Sequence, residues 1–271
     1  MPRGRRTSSL AVLLLLCLTA AAQSINTAVG SAEVLHYDLY YNWKFVWVNA
    51  GSAMMSVAQT TYDGLPAYRT RMLTRGSEKA DHFFVLRDTL TSLVTSDDML
   101  PREFTKNDVE AGKRRQRRVS YSYGNGRFTA DQLYINPEGK QSRTVDTCDE
   151  PIYDMLSYIL RARSFDPTSW EADTHITFLM TDGRGVHRET LVYRGPRQAA
   201  MRGSSAVYDC LVYSFVQTVD GRERDVATFY VTRDLNRIPV LVEFNLRFGS
   251  AKAYLSGYTG LRNPMEARIR Q

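Results

Sequence analysis

The chain is 271 residues long, 43% hydrophobic and 24% charged, with a formal net charge of +6. Three arginines, Arg3, Arg5 and Arg6, lie in a segment that reads as a leader, so the remainder carries only about +3, too little for the strongly basic domain that nucleic-acid binding wants. The length suits one large β domain or two smaller ones, and such a chain can bury a substantial core without covalent staples.

Residues 1–22 read as a signal peptide. The arginines supply the positive start, residues 10–20 the apolar run, and Ala20-Ala21-Ala22 the small residues of a cleavage site, with Gln23 as the expected new N-terminus. The apolar run is shorter than the roughly 20 residues of a membrane-spanning helix. Cys17 follows Leu16, where a lipoprotein signal wants a small residue. No later segment is long and apolar enough to span a bilayer as a helix.

Residues 23–260 are expected to form a single β-rich domain. A strand over 34–41 precedes a bend at Asn49-Ala50-Gly51. Strands over 52–62 and 67–74 flank Asp63-Gly64, and another β-prone stretch covers 83–95. Strands over 117–123 and 127–135 flank Asn125-Gly126, two positive-φ positions and a strong hairpin signal. Asn136-Pro137-Glu138-Gly139 makes the next turn. A helix is expected over about 151–163. Asp149 or Glu150 would cap it, Pro151 would suit its first turn, and Ile152, Met155, Leu156, Ile159 and Leu160 form one apolar stripe. Arg161 and Arg163 stand near its end, where positive charge suits the helix dipole.

Beyond it, strands over 174–181 and 186–193 flank residues 182–185, those over 206–219 and 225–232 flank Asp220-Gly221, and those over 238–247 and 252–258 flank Gly249-Ser250. The polar, basic residues 261–271 read as a loose tail. About a dozen short-looped strands predict an all-β fold. In it, a curved antiparallel sheet forms a barrel or half-barrel, with the central amphipathic helix as plug or lid. A sandwich of the two halves is the competing arrangement.

Chemistry is sparse. There is no Gly-x-Ser-x-Gly elbow, Ser-x-x-Lys set or glycine-rich phosphate loop. The histidines after the leader are His36, His82, His175 and His187, and no two are four apart. Counting outward from Gly183-Arg184 sets His187 opposite Met180 and His175 opposite Val192, which keeps them from sharing a metal. Carboxylate pairs fall at turns and helix starts, where structure needs them. No catalytic residue, metal or cofactor is therefore expected. Cys148 and Cys210 are a disulfide candidate in an oxidising compartment, or else two buried thiols. Arg114, Arg115, Arg117 and Arg118 form a solvated ribbon end, or a patch for anionic partners such as lipid phosphates and glycans. Period-two spacing places Tyr37, Tyr41, Trp43, Phe45 and Trp47 on one face, either core or the wall of a ligand cavity. The candidate ligand-binding set is Tyr41, Trp43, Trp47, Met155 and Ile159.

Four strings resemble the bacterial family called domain of unknown function 3108. They are Tyr40-Tyr41-Asn42-Trp43 with Val48-Asn49-Ala50-Gly51; Phe84-Val85-Leu86-Arg87-Asp88 leading to Leu100-Pro101-Arg102-Glu103-Phe104; Tyr153-Asp154-Met155-Leu156-Ser157-Tyr158-Ile159-Leu160-Arg161; and Asn236-Arg237-Ile238-Pro239-Val240. The resemblance implies an exported protein of the Gram-negative envelope, in the periplasm or at the outer-membrane periphery, with no established activity. It also implies a build like the curved half-barrels of lipoprotein carriers, which hold acyl chains. Arg87, Asp88, Asp154 and Arg161 are expected to be structural polar residues. The expected role is to hold an apolar or lipid-like ligand without catalysis. A structural part in an envelope complex, with a protein partner, is the alternative, and a glycan- or lipid-acting hydrolase stands behind both.

Overall fold

A computed structural model describes residues 26–43, 46–78, 87–110, 112–219, 221–246 and 249–270. The leader expected at 1–22, His82, Phe45 and the string from Phe84 to Leu86 lie outside the described residues, as does the side chain of Trp43. The first eight strands are β1 (Ala32–Trp43), β2 (Val46–Tyr62), β3 (Leu65–Gly76), β4 (Arg87–Thr95), β5 (Pro101–Glu110), β6 (Lys113–Gly124), β7 (Arg127–Ile135) and β8 (Gln141–Cys148). A short β9 (Ile152–Tyr153) leads into helix α1 (Met155–Ala162). Then follow β10 (Thr174–Thr181), β11 (Val186–Ala200), β12 (Val207–Val219), β13 (Arg222–Thr232), β14 (Pro239–Asn245), β15 (Ser250–Thr259) and β16 (Arg268–Arg270).

All the strands join one sheet, in the order β8 to β1, then β15 to β9, with β16 attached to β12. Every pair is antiparallel except β9 with β10. The two sequence halves thus continue one sheet through the β1–β15 pair, and the sandwich is excluded. Side chains close the seam where the ends of the sheet meet. Gln132 on β7 donates to Asp146 (2.6 Å) and accepts from the Thr181 hydroxyl and from the Gly185 amide (2.8 Å). Arg117 pairs with Asp182 (3.5 Å) and Arg188 with Glu150 (2.7 Å) across the same join. The result is a nearly closed barrel.

Bulges supply the curvature, since an extra residue bends and twists its strand. One lies in β2, where Leu39 faces Gly51 and Tyr40 faces Asn49, leaving Ala50 over. Gly51 is needed there: its φ is +145°, and a Cβ would stand 2.0 Å from the Arg75 carbonyl oxygen. The bend expected at Asn49-Ala50-Gly51 is therefore this bulge inside a strand, and the chain reverses instead between Trp43 and Val46. The Asn125-Gly126 hairpin forms as expected, with φ values of +51° and +72°. So does the β10–β11 register, with His187 opposite Met180 and His175 opposite Val192.

The helix starts later than its stripe suggests. Asp154 is the N-cap, accepting from the amides of Leu156 (2.9 Å) and Ser157 (3.0 Å), while the Ser157 hydroxyl accepts from the Asp154 amide (3.0 Å). Ile152 belongs to β9, because pairing with β10 gives its backbone a ladder. Asp149 and Glu150 pair with Arg127 and Arg188 rather than capping. The helix lies across one end of the barrel interior, with Leu156 and Leu160 fully buried. At its C-cap, Arg163 makes a buried bidentate pair with Glu33 of β1 (2.5 and 2.8 Å) and donates to the Asn236 carbonyl. The expected loose tail is docked at the same end. Strand β16 pairs with β12, and the Asp209 amide donates to the Ala267 carbonyl (2.8 Å).

Candidate functional site

The inward side chains leave the barrel unfilled. They surround a cavity of about 2560 Å³ that runs from the helix to the open end of the sheet. Its floor is the cavity-facing side of α1, with Met155, Tyr158, Ile159 and Ala162, flanked by Tyr37, Phe178 and Tyr213. The Tyr37 hydroxyl donates to the Pro239 carbonyl (2.9 Å), and the Tyr158 ring stacks on Phe178 with centroids 3.5 Å apart. Burial holds both phenols above their ordinary pKa, so they stay neutral. The middle of the wall is aliphatic and aromatic, with Leu39, Met55, Met72, Leu90, Phe104 and Phe229.

The open end is two-sided. One side is formed by the tips of β1–β2 and β14–β15, adjacent because Asn42 faces Ser250. It carries Val46 (61% exposed), Val48 (47%), Phe244 (37%) and Leu246 (47%), all of which line the cavity. Four large apolar side chains left in water around one opening are a functional signal, whereas scattered ones are not. The other side, on β5, β6, β10 and β11, is polar. Lys106 and Asp182 line the cavity there, and Met180, Asp182, Arg184, His187 and Glu189 bound a smaller recess of about 460 Å³. Burial raises the Glu189 carboxyl above its usual range.

The expected ligand-binding residues are only partly brought together. Tyr41, Met155 and Ile159 line the cavity. Trp47 does not. It lies between Val46 and Val48 on β2 and so faces the opposite way, its ring beneath the Lys252 ammonium (5.3 Å). The turn between Trp43 and Val46 puts Trp47 on a different strand from Tyr41, which breaks the expected run of one aromatic face. The arginine run is split as well. Arg115 and Arg117 turn inward to Asp108 (3.4 Å) and Asp182, and Arg114 and Arg118 alone are exposed, so the four do not make one patch.

Cys148 and Cys210 are free thiols, and the candidate disulfide is not formed. Cys148 ends β8 at the edge of the sheet, whereas Cys210 is in the core on β12, where burial pushes its pKa to about 12. Asp154, besides capping α1, accepts from the Ser92 hydroxyl of β4 (2.8 Å). Arg161 lies over the Phe165 ring at 5.4 Å. Arg87 and Asp88 sit side by side on β4, each engaged by neighbours. Sequence reasoning passed over Glu33, Gln132 and Lys106, and read Arg163 only as a charge at the helix end. The partners of Glu33, Gln132 and Arg163 are remote in sequence, and Lys106 shows its face only once β5 has a register.

Among the described residues, no group of three or more His, Cys, Asp or Glu is placed to hold a metal, and no helix is long and apolar enough to cross a membrane. The model of a family described as "Protein of unknown function (DUF3108)" matches residues 36–256. A crystal structure of a beta-barrel-like protein of domain of unknown function DUF1849 from Brucella abortus is similar in fold, with a TM-score of 0.53 and 13% identity over 86% of this chain and 98% of that one. No curated protein matches.

Proposed function

The chain belongs to the DUF3108 family, and on that premise we propose that it is an exported, non-catalytic envelope protein that holds an apolar, lipid-like ligand inside its barrel. The observation that carries this reading is the cavity. Its volume of about 2560 Å³ exceeds the roughly 300–1,000 Å³ of sites for drug-sized molecules. At about 30 Å³ per water-sized group, it has room for on the order of 80 methylenes. Aliphatic and aromatic side chains line most of it, so water inside finds few partners. Each methylene moved there from water gains about 0.8 kcal/mol. Export rests on the leader pattern of residues 1–22.

Native mass spectrometry of protein released gently from its own host tests the ligand. The expected result is a population heavier than the processed chain by the mass of a lipid. A chain that is always bare, and that does not brighten an apolar fluorophore, overturns the reading. N-terminal sequencing of the same material tests export and should begin at Gln23.

The rim of Val46, Val48, Phe244 and Leu246 favours a second reading, a structural part in an envelope complex. Under it, cross-linking in whole cells traps one protein partner through cysteines placed at the rim, and no lipid is found.

A further inference from the structure

If the barrel holds an apolar ligand, one charge on its wall lacks a carboxylate counterpart among the described residues. Four basic residues border the cavity, Lys106, Arg163, Arg237 and Lys252, of which Lys252 turns its ammonium to the outward-facing Trp47 ring. Arg163 is paired with Glu33, Lys252 with Glu243, and Arg237 donates to the Arg163 carbonyl (3.3 Å). Lys106 has no carboxylate within ion-pair distance among the described residues. On its own side of the opening Asp108 is matched by Arg115 and Asp182 by Arg117, Asp88 and Glu78 have contacts of their own, and Glu189 lies in the smaller recess, where burial favours its neutral form.

The position of Lys106 makes this informative. On β5 it is one inward step from Phe104, opposite Leu90 of β4 and Arg117 of β6, and it is half-buried. An ammonium group drawn partly out of water beside Phe104 and Leu90, with Arg117 opposite it, loses hydration that no carboxylate pair among the described residues returns. Across the opening stands the apolar side, with Val46, Val48, Phe244 and Leu246. One entrance therefore offers, among the described residues, an ammonium without a carboxylate partner on one side and an oily surface on the other, above an apolar interior.

We propose that the ligand is an anionic amphiphile, whose carboxylate or phosphate head meets the Lys106 ammonium while its hydrocarbon fills the cavity toward the helix. This inference rests on the ligand-holding reading and adds the chemistry of the head. A charge-assisted contact at a partly dry site discriminates strongly against a neutral head of equal size.

The test uses the processed chain, stripped of lipid on an apolar resin, and two polyene probes with the same tail, parinaric acid and its alcohol. The native chain is expected to bind the acid about tenfold or more tightly than the alcohol. Lys106→Met should bind both alike with the alcohol unaffected, and Lys106→Arg should keep the preference for the acid. Dodecyl phosphate should displace the acid and inorganic phosphate should not, which separates a lipid head from a free anion. Equal binding of acid and alcohol by the native chain, or a preference that survives in K106M, overturns the head assignment alone. Failure of either probe to bind overturns the ligand-holding reading, and this inference with it.

Discussion

Asp154 shows how a single carboxylate couples the helix to the sheet. It is fully buried and accepts from two helix amides and from Ser92 of β4. Burial outweighs those hydrogen bonds and raises its pKa to about 6. The native state therefore binds a proton more tightly than the unfolded chain, whose carboxyl titrates near 4. Between about pH 4 and pH 6 this group makes stability fall as pH rises, and above that window its effect is constant. The total is about 3 kcal/mol, on the order of 1.4 kcal/mol per unit of pKa. Asp154→Asn keeps an oxygen for the helix amides and cannot ionise. Urea unfolding of both proteins from pH 4 to pH 7 should show the native chain losing about 3 kcal/mol relative to D154N. Parallel profiles would remove this account of Asp154. The sequence pointed to Asp149 or Glu150, just before Pro151, as the cap, because the short β9 that pushes the helix start to Asp154 is made by pairing with β10.

At the scale of the element, what could be read were features written within a few residues. The Asn125-Gly126 turn and the pairing of Thr181 with Val186 both follow from local turn chemistry. The short β9 did not, because its ladder comes from β10, and the stripe that begins at Ile152 fits a helix equally well. The seam was equally hidden. Gln132 is buried, and its carbonyl oxygen accepts from the Gly185 amide of a turn 53 residues away. Gln132→Ala should leave that amide and the Thr181 hydroxyl without this acceptor, at about 1–3 kcal/mol. Amide exchange around Gly183 and Gly185 should quicken more than exchange in β1 and β15, which locates the loss at the join. Uniform quickening throughout the sheet would count against Gln132 as a local clasp.

For the molecule as a whole, alternation and turn spacing disclosed a curved antiparallel sheet, and the one amphipathic segment disclosed a helix to plug it. The emptiness of the interior could not be seen that way, since it depends on strand number and tilt outrunning the volume of the inward side chains. Tyr41, Met155 and Ile159, which reach the cavity wall, belong to local patterns, whereas Trp47 falls on a different strand from Tyr41 and faces away. The cavity has its own test. Ala53 lines it from β2, and Ala53→Trp adds bulk where there is space. The variant should stay folded with an unfolding temperature within a few degrees of the native chain, yet lose much of its capacity for long-tailed probes. In the native chain, a probe at 100 times its Kd should add about 2.7 kcal/mol, and in A53W markedly less. Equal gains in both would show that probes bind elsewhere.

The β1–β15 pair carries a further consequence for how the molecule comes into being. Tyr37 of β1 is bonded to Pro239, 202 positions later, and β1 takes β15 as its second neighbour. While a ribosome is still making the later strands, β1 has one bare edge of the kind that recruits other nascent chains. Assembly dominated by such distant pairings is slow, so most of it must wait until translation has delivered β15. That delay leaves the β1 edge open through most of synthesis, so early truncations that lack β15 should aggregate more readily than the full chain.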